Sequence, residues 1–497
     1  MLVVTRLFSR DALIIAFVLL SLSALAPQTF LFWGRGDDWV GLFLLDGLPS
    51  FETRLHFMLN APWIGGRPVA AVLSSAIYSV LNPDYSNLWL FRAFNLFLGA
   101  TWVAVTYSIC RRLGLGKSLA APISLVPLTL PGMNFWLSSL GSFVYLLGAL
   151  VAQIAGLLLI APKRWGIFAA FSGALFSVFC YQPTLALVLL APSIYALTTR
   201  SAQDRWRVLW SASLTYLLAL GINFFVVLLT GGNYRLVRPT AIEMLRIFVV
   251  ELLPRSILPW LQVFNINQYL LSGLAITFLV VGFKLWKSKL RGNDHEQLFE
   301  ATSRNTWDRL LELTTPIWAL LITVCPLVFV NSIEGTRVTT FSSVVYWSII
   351  LVLLKRLNLS TSDQKSVRFS TNGWGLSLLT ATAAILSAGL YFSTTVRPAI
   401  QEWACMREAS QVAKYPPSLP IGLGVKSPSW IRETDEMGES SLALENPTRF
   451  QILYSFQDIR KDPQLDIFIW DVPVNRQASS DSWTKTFLSC IQLREQP

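Results

Sequence analysis

The chain has 497 residues, 53% hydrophobic and only 14% charged, where a soluble domain carries roughly a quarter charged residues. So few charges cannot cover an ordinary soluble surface, and the composition excludes a disordered chain, a coiled coil and a disulfide-dense secreted module. The net charge of +11 follows a bias between loops rather than a nucleic-acid footprint, so no nucleic acid is expected as partner. Five cysteines and two distant histidines, His56 and His295, give neither a disulfide framework nor a zinc ligand set.

A spanning helix needs ~20 mostly apolar residues. Eleven such stretches follow in chain order, at about 12–32, 87–109, 118–134, 140–161, 166–183, 184–199, 209–230, 268–286, 314–331, 342–357 and 374–396. The first follows Arg6 and Arg10, but its long apolar run and the lack of an A-x-A site read as a retained span, not a cleaved signal peptide. Residues 67–82 are apolar but short. They are placed as a helix in or dipping into the outer interface, because a crossing there would put Arg111 and Arg112 outside. Residues 241–266 carry Glu243, Arg246, Glu251 and Arg255 with two prolines, and charges are costly at the bilayer centre. They read as amphipathic interfacial helices, with Glu243 and Arg246 at a spacing that pairs them. The segment 286–313 is a polar insert on the inner side.

Basic residues in short loops set the orientation. With the N-terminus cytoplasmic, the cytoplasmic segments hold 20 Lys and Arg, among them Arg111, Arg112, Lys117, Arg164, Arg205 and Arg207. The opposite loops hold nine, and the C-terminal tail 11. Eleven spans put the tail outside. The expected architecture is therefore an all-α polytopic membrane protein of about 11 transmembrane helices in the cytoplasmic (inner) membrane. Its core is 1–396, with outer loops 33–86 and 231–267. A small extracytoplasmic α/β domain, 397–497, follows. Within it, 449–456, 465–472 and 487–493 pattern as strands. Cys405 and Cys490 either pair there or stay free thiols.

Of sixteen acids before the tail, only Asp37 and Asp38 are adjacent, in GRGDDW directly after the first span. A carboxylate at a water–lipid boundary can serve as general base, since partial desolvation raises its pKa, and two neighbours do not ionise independently. The bland alternative is a solvated turn. Arg35 precedes the pair, Trp39 follows it, and Gly65-Gly66-Arg67-Pro68 comes later in the same aromatic-rich loop. Arg67 suits a phosphate, which a guanidinium grips bidentately, or else it is a snorkelling anchor. Arg337, in NSIEGTRVTTFS three residues after Glu334, is a second candidate for a lipid phosphate, and Arg238 a weaker one. His56 reads as structural or solvated.

These pieces resemble the membrane glucosyltransferases that modify O-antigen (Gtr type), and more broadly the GT-C superfamily of polyprenyl-phosphate-sugar-dependent glycosyltransferases. The matching residues are GDDW at 36–39 and GGRP at 65–68, together with the span count and a first outer loop with surface helices. The detailed match covers about residues 10–120. The resemblance implies transfer of a sugar, a hexose such as glucose, from a polyprenyl-phosphate carrier to a glycan, lipid or protein acceptor outside the cytoplasmic membrane. It implies inversion at the anomeric carbon, with no metal and no other cofactor. Carried over, Asp37 is the base and Asp38 orients it or binds the sugar. Arg67 and Arg337, with Arg35, hold the donor phosphate, while Trp39, Arg238 and Glu334 contact substrate. Further partners implied are membrane lipid, an upstream polyprenyl-phosphate sugar synthase and a flippase. The tail of about 100 residues departs from the family pattern and leaves the acceptor open. Three other readings remain: an O-antigen polymerase or ligase, which relies on arginines in large outer loops, a lipid-linked glycan transporter, and a non-enzymatic membrane scaffold carrying a folded outer domain.

Overall fold

The computed structural model describes residues 50–60, 66–81, 88–160, 164–199, 201–230, 239–259, 269–270, 272–277, 306–329, 338–360, 372–391, 422–424 and 468–470. Fourteen α-helices run through them. In chain order they are α1 (Phe51–Asn60), α2 (Pro68–Leu81), α3 (Leu88–Arg112), α4 (Lys117–Thr129), α5 (Pro131–Ser138), α6 (Ser142–Leu158) and α7 (Arg164–Cys180). Then come α8 (Leu190–Thr198), α9 (Ala202–Leu229), α10 (Ala241–Arg246), α11 (Leu253–Ile257), α12 (Thr306–Val324), α13 (Thr340–Ser360) and α14 (Asn372–Tyr391). A 3₁₀ segment, Gln182–Leu189, leads into α8, and a π-helical turn, Ile247–Leu252, joins α10 to α11. The described core is thus all-helical. The expected α/β domain lies outside the described residues, apart from a parallel pairing of Gly422–Gly424 with Phe468–Trp470.

Trp89–Arg112 and Gln203–Leu229 are long and apolar enough to cross a membrane by length and composition. The other apolar helices fall where the hydropathy runs placed them, with shorter or broken bodies. The run at 118–134 splits at Leu130 into α4 and α5, because Pro131 starts a new helix. At the other extreme, α12 begins at Thr306 and carries the helix back into the polar insert.

Helix α6 is the centre of the bundle. It is apolar on all sides, and eleven of its 17 residues are buried, as expected of a helix surrounded by others. Helices α2, α3 and α7 and the 3₁₀–α8 arm pack around it. A Cβ on Gly148 would touch Cys180 and Thr184, while Gly173 lies against Val151 and Ala155 and Gly156 against Val188 and Pro192. Helix α7 therefore runs antiparallel to α6, and 3₁₀–α8 runs parallel to it. The chain reverses at Tyr181, whose backbone is extended. Pro183 then takes the second position of the 3₁₀ segment, where its missing N–H is no loss. The Ser177 and Thr184 hydroxyls, 2.8 Å apart, tie the two arms together.

Helix α9 turns large apolar side chains outward. Trp210 (67% exposed), Phe225 (61%) and Leu229 (70%) line its open face, while Ala212, Ala219 and Asn223 face the bundle. Helix α2, the short apolar stretch of the first outer loop, buries Ala70, Ala71, Ser74, Ser75 and Tyr78 against its neighbours, which include α6 and α7.

Segment 241–257 is helical throughout, as the amphipathic pattern requires, but its ion pairing differs from the expected one. The Glu243 carboxylate caps the helix, accepting from the Thr240 amide (2.7 Å) and hydroxyl (2.9 Å). Arg246 instead reaches Glu251 at 3.9 Å. A capping box satisfies otherwise orphaned amides, and it takes the carboxylate that helical spacing alone assigns to Arg246.

Candidate functional site

Arg67 is the one predicted site residue among the described residues. Asp37, Asp38, Arg35, Trp39, Arg238, Glu334 and Arg337 lie outside them, as do Cys405, Cys490 and His295. His56 is exposed, and Asn60 donates to its carbonyl (2.8 Å).

Local sequence sets the backbone at Arg67. Gly66 has φ +76°, in the left-handed region that costs other L-residues roughly 1–2 kcal/mol. Pro68 opens α2 at a position where its missing N–H is no loss. The Arg67 carbonyl accepts the first helical bond, from Ala71 N–H (3.1 Å). The turn is pinned from outside as well: Asn223 of α9 donates to the Gly66 carbonyl at 2.5 Å, and a Cβ on Gly66 would collide with Val227.

Two groups from the hairpin tip hold the half-buried Arg67 side chain. Its Nε donates to Gln182 Oε1 at 2.9 Å. The guanidinium carbon lies 4.8 Å from the ring centroid of Tyr181, within cation–π range. Tyr181 belongs to a cluster of rings drawn from four elements. Its centroid is 4.6 Å from Tyr145, 5.1 Å from Trp136 and 6.3 Å from Phe341. Trp136 and Tyr145 meet edge to face at 5.2 Å. Trp136, Tyr181 and Phe341 are nearly inaccessible, and Tyr145 is half-buried. This packing makes Tyr181 a rigid base for the charge above it.

Arg67, Trp136, Tyr181, Gln182, Asn223 and Phe341 come from, or next to, five segments that the basic-residue bias assigns to one side. They meet at one end of the bundle. Arg111, Arg112, Lys117, Arg164, Arg205 and Arg207 belong to helix ends at the other. Arg54 of α1 also belongs to the first of these ends; it is buried and donates from Nη1 to the Tyr78 carbonyl.

Sequence reasoning missed Tyr181, Gln182 and Asn223. A polar Gln-Pro step inside an apolar run, and an Asn within a span, were the available signals. What the arrangement can do is present a fixed guanidinium, beside aromatic rings, to an anion. Among the described residues no group of three or more His, Cys, Asp or Glu could hold a metal ion. Comparison of the chain with protein-family models, curated proteins and solved structures finds no match.

Proposed function

We propose that the chain is a multispanning membrane glycosyltransferase that passes a hexose from a polyprenyl monophosphate to an acceptor on the extracytoplasmic side. The observation that carries this reading is Arg67. Its guanidinium is fixed by Gln182 and Tyr181, at the bundle end where the loop-charge bias puts the outer surface. The open face of α9 supports placement in a bilayer. A helix that turns Trp210, Phe225 and Leu229 outward and alanines inward suits lipid as solvent, where small residues let helices approach closely.

In the proposed reaction Asp37 takes the proton of an acceptor hydroxyl, with Asp38 beside it. The acceptor oxygen attacks the anomeric carbon from the face opposite the phosphate. The bond from that carbon to the phosphate oxygen breaks, and polyprenyl monophosphate leaves with the anomeric configuration inverted. Negative charge grows on the leaving phosphate, and a guanidinium already in position stabilises it without reorganising. Arg337 and Arg35 would share the phosphate, and Trp39, Arg238 and Glu334 would meet the sugar or acceptor. Carboxylate-coupled transport is disfavoured, since the charged side chains buried among the described residues are Arg54, Arg92 and Arg205, none of them acidic.

Transfer from polyprenyl-phosphate hexose in proteoliposomes tests the reading. Asp37→Asn should lower the rate by about 10²–10⁴-fold, the usual contribution of a positioned base, while the protein stays folded. Arg67→Ala should impair donor use more than acceptor use. Full activity in Asp37→Asn would reject Asp37 as the base, and an unchanged donor KM and kcat in Arg67→Ala would remove its phosphate role.

A further inference from the structure

We propose that Gln182 is a positioning residue for Arg67, and that the Tyr181-Gln182 hairpin tip sets the affinity of this end of the bundle for a lipid-borne phosphate. The inference rests on the phosphate reading of Arg67 and goes further by assigning a role to a residue 115 positions away in sequence.

Three constraints meet at one guanidinium. The backbone of Gly66 and Arg67 is held by Asn223, so the side chain starts from a fixed point. Tyr181 supports the guanidinium carbon at 4.8 Å, and the packed rings of Tyr145, Trp136 and Phe341 leave Tyr181 little room to move. The bond from Nε to Gln182 Oε1 at 2.9 Å adds an orientation to that position, because guanidinium donors form a rigid planar fork and orienting one orients all.

The residue type matters too. Glutamine is a neutral acceptor, so it orients Arg67 without cancelling its charge. A glutamate at the same place would accept the same bond and make an ion pair, and a phosphate would then compete with a carboxylate. Gln182 itself precedes Pro183 at the tip of a hairpin whose arms pack on α6, so its backbone is as fixed as that of Arg67.

Binding of farnesyl phosphate to the detergent-solubilised full chain tests this without knowledge of sugar or acceptor, with farnesol as the uncharged control. Arg67→Ala should weaken farnesyl phosphate by roughly tenfold or more, the scale of a charge-assisted hydrogen bond. Gln182→Ala should weaken it about three- to tenfold. Gln182→Glu, although it keeps an acceptor for Nε, should weaken it further than Gln182→Ala. Farnesol affinity should not change in any variant. Thermal unfolding separates binding loss from misfolding, and if Gln182→Ala does not fold, Gln182→Met, of similar size but without the acceptor oxygen, decides. A glutamate at 182 opposes a phosphate with or without a positioning role, so the neutral variant carries the test. Loss in Arg67→Ala with wild-type binding in the folded neutral Gln182 variant overturns the positioning role and spares the phosphate reading. Wild-type binding in Arg67→Ala rejects both.

Discussion

Two glycines with positive φ mark the two ends of the bundle, and they are held in different ways. Gly114 (φ +81°) follows α3, and nothing lies within 4 Å of a Cβ built on it. Its turn is made by neighbours: Gly114 N–H bonds the Arg111 carbonyl, and Leu115 N–H the Cys110 carbonyl, the crossed pair of a Schellman cap. Arg111 adds a bond to the Leu115 carbonyl (2.7 Å). At the same end the buried Arg205 donates twice to the carbonyl of Thr199, which ends α8. Gly66 (φ +76°) is bonded to a residue 157 positions away and crowded by Val227. Arg111 and Arg205 at the Gly114 end satisfy local backbone carbonyls where helices finish. Arg67 at the Gly66 end is gripped by side chains from a distant hairpin. The first end is built from local motifs, the second by tertiary assembly, and an assembled charge is what a binding site requires.

Substitutions at matched positions sharpen or break this contrast. The largest effect is expected from Gly66→Ala, where left-handed strain and the collision with the stiff Val227 add to about 2–4 kcal/mol of destabilisation. Adding Val227→Ala should recover part of it, and a Gly66→Ala protein with wild-type thermal midpoint would show that the turn is not packed. Next comes Arg205→Ala, expected to cost about 1–3 kcal/mol by leaving the Thr199 carbonyl unmatched while farnesyl phosphate binding stays at wild type. A binding loss there would mean that the two ends are not distinct in function. Gly114→Ala should cost only about 1 kcal/mol, the strain alone, and leave binding unchanged.

The smallest effect concerns Glu243. The Thr240 amide and hydroxyl bonds hold its carboxyl below the usual range, with Arg246 contributing less. A lowered value means that the cap is fully made above the ordinary carboxylate range and is lost as pH falls through the lowered one. Protection factors of the amides in 241–246, with the intrinsic pH dependence of exchange divided out, should therefore fall in acid for the wild type and stay level for Glu243→Gln. Equal acid dependence in both would remove the carboxylate as its cause.

Several features of this architecture were legible in the sequence. Apolar runs located most of the described helices, two of which have membrane length, and Arg111-Arg112-Leu113-Gly114 spells a local helix stop. The short apolar stretch 67–82 reads as a helix, and a helix is present at Pro68–Leu81. The partners of Arg67 were not legible, because no periodicity links position 67 to 182 or 223. Only packing around α6 brings these residues together. The same limit misdirected Arg246: helical spacing permitted a bond to Glu243, and competition from the Thr240 cap decided otherwise.

The most direct measurement is an experimental structure of the full chain with a polyprenyl-phosphate hexose analogue bound. The account predicts the phosphate hydrogen-bonded to the Arg67 guanidinium, with the Asp37 carboxylate beyond the opposite face of the anomeric carbon. A phosphate seated at the Arg111, Arg164 and Arg205 end, with Arg67 still locked on Gln182 and Tyr181 and away from the ligand, would contradict it.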